Sequence, residues 1–175
     1  MQKQLIKNKE IIMGTKGKSI VKLDVNKLLE LLNKAYADEW LAYYQYWVGA
    51  KVAKGIMREP VANELMEHAN EELEHADKLA ERILQLGGTP IIKPEDWYKM
   101  CNCGYEAPEN PNTEALLKQN IKGEQCAIGV YNKLLEFIGG NDPITFHLIR
   151  EILEDEVEHE DDLENLLEDF ESMKK

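Results

Sequence analysis

The sequence predicts an all-α protein, an antiparallel four-helix bundle with a long crossover between its second and third helices. Three observations predict it. Four long segments repeat apolar residues at alternating spacings of three and four, the period of a helix that buries one stripe. Glycine pairs, prolines and capping residues separate those segments. Two of the segments also carry matching copies of one motif, Glu71-Glu72-Leu73-Glu74-His75 and Asp155-Glu156-Val157-Glu158-His159. The flanks match as well, Asp77 with Asp161 and Leu79 with Leu163.

The first long helix is expected from a cap at Asp24 to about Lys54, with Gly55 as its stop. Its inward stripe is Leu28, Leu32, Ala35, Glu39, Ala42, Tyr46 and Gly49. Pro60 suits the first turn of the second helix, which turns Val61, Leu65, His68, Glu72, His75, Leu79, Ile83 and Leu86 inward and ends at Gly87-Gly88. Residues 87–112 hold four prolines and a possible short helix around Glu95–Met100. A connection that long inside a compact domain needs a reason. Running the length of the bundle supplies one, since a helix of about 27 residues is roughly 40 Å long.

Asn112 or Thr113 caps the third helix, whose stripe is Leu117, Asn120, Glu124, Ala127, Tyr131, Leu134 and Ile138. Gly139-Gly140 stop it, and Asp142-Pro143 start a fourth helix that runs to about Phe170. That helix turns Ile149, Ile152, Glu156, His159, Leu163, Leu166 and Phe170 inward, and Lys174 and Lys175 are expected to fray. The halves of the chain align as copies, Glu39 over Glu124 and Tyr46 over Tyr131.

The chain has 175 residues, the length of one domain. The expected division is a Lys-rich arm over residues 1–23, partly extended at Ile11-Ile12 and Ser19-Ile20-Val21, and a bundle over residues 24–175. No apolar run approaches a membrane span, and the arm lacks the apolar stretch of a signal peptide. A soluble, cytoplasmic protein with no membrane partner is expected. The net charge of −12 and pI of about 4.8 argue against nucleic acid as the main partner and suit cations. DNA would bind weakly if at all, through the arm. Cys101, Cys103 and Cys126 are an odd count and do not read as a secreted disulfide framework.

Residues three apart on a helix share a face, so Glu72 with His75, and Glu156 with His159, each form a two-toothed ligand. Measured from Met57, Glu39 lies 18 residues before the first turn and Glu72 lies 15 after it. Measured from Gly140, Glu124 and Glu156 each lie 16 residues away. The three-residue mismatch is about 4–5 Å of helical rise, so all four Glu fall near one level. Four inward carboxylates repel one another and lose hydration. Two divalent cations offset their charge, and two imidazoles complete the ligand set.

The expected metal ligands, and hence the catalytic residues, are Glu39, Glu72, His75, Glu124, Glu156 and His159. Glu72 and Glu156 would bridge, His75 and His159 would hold one metal each, and Glu39 and Glu124 would be terminal. Such donors suit iron, with manganese or zinc as substitutes. No Lys or Arg lies on the seams at this level, although Arg82 flanks the second helix. Tyr46 and Tyr131 either hydrogen-bond to the carboxylates or are plain core aromatics. His68 reads as a core or pore-side histidine rather than a third ligand, and His147, off the seam, as structural.

At these residues the chain resembles the ferritin-like di-iron superfamily. The run His75-Ala76-Asp77-Lys78-Leu79-Ala80-Glu81-Arg82-Ile83-Leu84 is similar to the second helix of bacterioferritins, and the six candidate ligands fall on their di-iron pattern. Leu73 stands where bacterioferritins place a haem-ligating Met, so no haem is expected. The cysteines resemble those of the Dps-like thioferritins, which pair two cysteines near such a site and assemble as twelve-subunit cages. The resemblance implies that Cys126 pairs with Cys101 or Cys103, and leaves open which. Two positions past Glu124 points off the seam, toward a crossover on the outer face.

What the resemblance implies is a ferroxidase and iron store, protective against oxidative stress. It would oxidise Fe(II) at a buried di-iron site, preferably with hydrogen peroxide, and keep Fe(III) in a homo-oligomeric cage. Three alternatives remain: a rubrerythrin- or manganese-catalase-like peroxidase without storage, a DNA-coating stress protein, and a metal-stabilised structural bundle.

Overall fold

A computed structural model describes residues 15–174 of the chain. After a short helix α1 (Thr15–Ser19), four long helices form the bundle: α2 (Val25–Val52), α3 (Arg58–Gln85), α5 (Thr113–Ile138) and α6 (Pro143–Met173). The crossover between α3 and α5 carries α4 (Pro94–Met100), and a 3-10 turn, Gly139–Asn141, joins α5 to α6. The described residues contain no strand, only one isolated bridge between Lys54 and Asn112.

Side chains start three of the four long helices. Asp24 accepts from the backbone N–H groups of Asn26 and Lys27, Asn112 from that of Glu114, and Asp142 from those of Ile144 and Thr145. The turn between α2 and α3 is tighter and uses left-handed backbone at Gly55 (φ 108°) and Met57 (φ 58°). Gly55 supports that turn rather than capping α2, whose last helical residue is followed by Ala53.

The core is divided in two. One apolar cluster packs Leu28, Leu32, Leu79, Ile83, Tyr131, Leu134, Ile149 and Ile152. The other packs Tyr46, Val61, Leu65, Leu116, Leu117 and Leu163. Along each long helix the candidate ligands fall between residues of the two clusters. The expected stripes hold except at Ala42, Ala127 and Leu166, which are half-buried.

The crossover runs beside α2 from end to end. It starts at Thr89, whose carbonyl accepts from Asn33, and finishes where Lys54 exchanges backbone hydrogen bonds with Pro111 and Thr113. Trp97 of α4 stacks on Trp40 with ring centroids 5.0 Å apart. This cover gives α2 a second buried face, Ala37, Asp38 and Leu41, which its apolar stripe does not reveal.

Some expectations need correction. Ser19 ends a helix and Ile20 lies in a turn, so this part of the arm is not extended. Val21 and Leu23 pack against the first cluster, and Lys22 N–H donates to the Asn141 carbonyl. Ile11-Ile12 and Lys175 lie outside the described residues. Lys174 lies just past the end of α6, exposed, and its ammonium reaches Glu114 at 2.5 Å. His147 is an exposed surface residue beside Glu151. Arg82 does more than flank its helix: its guanidinium is buried and grips both oxygens of Asp142, at 2.8 and 3.0 Å, and the Thr145 hydroxyl.

Candidate metal centre

Each long helix contributes a carboxylate to the layer between the two apolar clusters: Glu39 from α2, Glu72 from α3, Glu124 from α5 and Glu156 from α6. All four are at most 3% exposed, and His75 and His159 are as deeply buried. The six residues form two sets, one of Glu39, Glu72, His75 and Glu156, the other of Glu72, Glu124, Glu156 and His159. Within each set the donor atoms lie within 4.8 Å of one another, and Glu72 and Glu156 belong to both.

The imidazoles are oriented from behind. His75 Nε2 lies 3.0 Å from Asp155 Oδ2, and His159 Nε2 lies 2.7 Å from Glu71 Oε2. An ionised carboxylate only accepts, so each Nε2 carries the proton it donates. In the neutral ring this leaves the Nδ1 lone pair facing inward. His75 Nδ1 stands 3.4 Å from Glu39, 3.5 Å from Glu72 and 3.4 Å from Glu156. His159 Nδ1 stands 3.6 Å from Glu72, 3.6 Å from Glu156 and 4.0 Å from Glu124.

Neither Nδ1 has a hydrogen-bond partner, and Glu39 Oε2 and both oxygens of Glu156 also lack one. Buried polar atoms are seldom left so. Converging carboxylate oxygens and imidazole lone pairs are the donor set that a pair of divalent cations accepts. A carboxylate behind a ligating imidazole is also the usual outer support of such a site.

The electrostatics tell the same story. Burial, then the charges of Glu72 and Glu156, raise Glu39 well above the usual carboxylate range; burial, then Glu156 and Glu72, do the same to Glu124. Burial opposes charge on His159, but Glu156 and Glu72 outweigh it and push the ring up to about 12. The layer therefore demands positive charge.

Tyr46 and Tyr131 hydrogen-bond across the bundle. Tyr131 donates to Glu39 Oε1 and Tyr46 to Glu124 Oε1, so each half's tyrosine holds the other half's single glutamate. Of the cysteines, Cys103 and Cys126 form a disulfide with Cα atoms 5.8 Å apart, and Cys101 is free. Beside the disulfide, the backbone N–H groups of Asn102 and Cys103 both donate to Asp38 Oδ1, at 2.7 and 2.8 Å. The bonded pair borders a cavity of about 510 Å³ that reaches Glu72, Glu124 and Glu156 between α2, α5 and the crossover. On the opposite side, a small pocket between α3 and α6 reaches His159 and is otherwise lined by carboxylates and His68. Burial and the neighbouring His159 lower His68 to about 3, which keeps that ring neutral.

A family model described as a ferritin-like domain matches residues 29–173. The chain belongs to the ferritin-like family. This ferritin-like chain is 38% identical over 147 residues to a DNA protection during starvation protein of Pyrococcus furiosus, covering 83% of the chain and 79% of that protein. Among solved structures it is similar to the dodecameric thioferritin of Bacteroides fragilis, with 43% identity, a TM-score of 0.89, and coverage of 91% of this chain and 96% of that one. It is also similar to the bacterioferritin of Rhodobacter capsulatus, a protein described with a dinuclear site and haem iron. There the identity is 26% and the TM-score 0.71, over 84% of this chain and 87% of that one.

The stripes brought the six candidate ligands to light and missed their supports. Glu71 and Asp155 stand one position outside the seam and look like ordinary surface acids. The signal for them was present, because each opens one of the two repeated motifs. Asp38, which anchors the crossover, and the choice of Cys103 over Cys101 depend on where the crossover lies along α2, which no periodicity encodes. Leu73, next to Glu72, is 37% exposed.

Proposed function

We propose that this ferritin-like chain is a cytoplasmic ferroxidase and iron store that protects against oxidative damage. The observation that carries the reading is the pair of overlapping donor sets sharing Glu72 and Glu156. In this reading Glu72 and Glu156 bridge two iron ions. Glu39 with His75 completes one site, and Glu124 with His159 the other. Manganese or zinc would occupy the same donors, and no haem is involved.

Iron enters as substrate. Two Fe(II) give two electrons to one hydrogen peroxide, which with two protons leaves as two waters, and two Fe(III) move on to storage. Peroxide is the preferred oxidant and dioxygen the alternative. The protein's part is to hold both ions at one level, to fix the imidazoles through Asp155 and Glu71, and to close the bundle above and below them with the two apolar clusters. Storage needs a closed homo-oligomer. Twelve copies is the expected number, in line with the similarity to a dodecameric thioferritin.

The Cys103–Cys126 pair would act beside the cavity, either supplying electrons or latching the crossover. Replacing Cys126 by Ser tests both roles, which fail together if peroxide turnover and iron release are unchanged.

Anaerobic Fe(II) followed by stepwise peroxide tests the whole reading, counting the iron retained per subunit in soluble protein. Retention well beyond two, lost in Glu72→Ala, is expected. Saturation at two with continued peroxide consumption would make the chain a di-iron peroxidase without storage. The name of the Pyrococcus furiosus relative gives DNA a specific test. DNA retardation that vanishes with added salt and on removing residues 1–23 would mark DNA coating as a second function.

A further inference from the structure

The two halves of the bundle correspond at a fixed offset, Glu72 to Glu156 and His75 to His159. Three residues at the α3–α6 pocket break that correspondence. His68 has Ile152 as its counterpart, Glu64 has Leu148, and Asp162 has Lys78. One side of the pseudo-twofold thus carries an imidazole and two carboxylates, where the other carries two apolar side chains and a cation. Nothing in the six-residue centre requires this asymmetry, because both halves build the centre alike.

His68 is the unusual member. It is 1% exposed, stacked on His159 with centroids 4.0 Å apart and set edge-on to Tyr46. Packing fixes the ring but serves neither nitrogen well. Nδ1 has no hydrogen-bond partner. Nε2 points at Glu64 Oε1, 3.4 Å away, and Asp162 Oδ2, 4.0 Å away, both long for a hydrogen bond. The unpaired Nδ1 is a cost of the stack, while Nε2, with only these two long contacts, is open to a further partner on the carboxylate side. Glu64 and Asp162 are half-buried and reach the pocket from α3 and α6, and the three donor atoms lie within 4.8 Å of one another. One ion bound at about 2.0–2.2 Å from nitrogen and oxygen donors spans separations of this size.

We propose that Glu64, His68 and Asp162 form a third divalent-cation site, next to the centre and separate from it. Its open side faces the α3–α6 pocket, opposite the cavity beside the disulfide. The centre thereby has two openings of different chemistry, one bordered by the crossover and one by carboxylates with a cation seat against His159. The site stands on its own residues. Its use as a transfer station for iron between the centre and the α3–α6 surface rests on the di-iron reading.

The test uses redox-inert Zn(II) on the full-length assembled protein, with anomalous diffraction from soaked crystals and equilibrium counting of bound zinc. Three peaks per subunit are expected, the third within bonding distance of His68 Nε2. In Glu64→Gln/Asp162→Asn, where His68 keeps its stack, that peak disappears and bound zinc falls from three equivalents to two. His68→Phe, which keeps an aromatic ring against His159 without the nitrogens, has the same effect. No peak at His68 under saturating zinc, or a third equivalent that survives both variants, overturns the proposal. Absence of the two peaks at the six-residue centre with the third in place would instead overturn the di-metal reading and leave this one standing.

Discussion

Because Glu72 and Glu156 belong to both donor sets while Glu39 belongs to one, replacements in the centre should fall into two classes. Consider Glu39→Gln and Glu72→Gln, each of which keeps volume and removes one carboxylate ligand. A ligand present at a hundred times its dissociation constant stabilises the native state by about 2.7 kcal/mol. For a chain of this size each kcal/mol raises the melting temperature by about 2–4 °C. One metal is then worth about 5–11 °C, and two about twice that. Glu39→Gln should keep the second set intact and retain about half the increment. Glu72→Gln weakens both sets and should lose nearly all of it. Without metal, Glu39→Gln should not melt below the wild type, because burial and the charges of Glu72 and Glu156 already disfavour its ionised form. Glu72→Gln should melt lower, because burial opposes charge on Glu72 but the His159 and His75 hydrogen bonds outweigh it and hold that carboxyl below its usual range. The assay is thermal melting by circular dichroism at fixed subunit concentration, in chelator and then in Co(II), which avoids iron redox chemistry. Equal losses in the two variants would refute the bridging assignment. A wild type that melts identically in chelator and in Co(II) would refute the metal centre altogether.

Three further outcomes are expected. Glu71→Gln and Asp155→Asn, each removing a carboxylate behind an imidazole, should weaken metal binding about 10–100-fold without unfolding the chain, as read by Co(II) titration. Arg82→Ala should cost about 3–5 kcal/mol in denaturant melts, because it strands the buried Asp142 carboxylate at the start of α6. The pH dependence of that pair has a definite sign. Burial opposes ionisation of Asp142, but the Thr145 and Arg82 hydrogen bonds hold it below its usual range; its contribution is therefore complete above about pH 4 and lost as pH falls through the lowered value. Cys103→Ser should speed iodoacetamide labelling of Cys126 relative to the oxidised wild type and lower the melting temperature, since the disulfide closes a loop over 23 positions; unchanged melting would mean that Asp38 holds the crossover unaided.

What could be read from the sequence was whatever repeats. A glutamate at 39, 72, 124 or 156 is conspicuous because the rest of its helix face is mainly Leu, Ile, Ala and Tyr, and the structure brings all four together with His75 and His159. The tyrosines were visible as positions, with a bond to the carboxylates as one of two readings, but their partners were not. Tyr131 reaches Glu39 and Tyr46 reaches Glu124, each in the opposite half, and a reading confined to one helix does not give that crossing. Arg82 was placed beside the bundle when it belongs inside. Its partner lies 60 positions away at the cap of α6, and a long-range pair of that kind leaves no periodic trace. The second buried face of α2 escaped notice because the segment covering it is aperiodic.

The division of the core has a consequence for how the bundle breathes. In an ordinary bundle the amides at mid-helix exchange slowest and those at the ends fastest. Here mid-helix is where four carboxylates face one another, flanked above and below by apolar packing. Without cations, amide protection along α2, α3, α5 and α6 should show two maxima with a dip near Glu39, Glu72, Glu124 and Glu156. Filling the centre should erase the dip and leave one broad maximum. Cargo would then act as the middle tier of the fold, and an iron-starved cell would hold a protein that opens from its waist rather than from its ends.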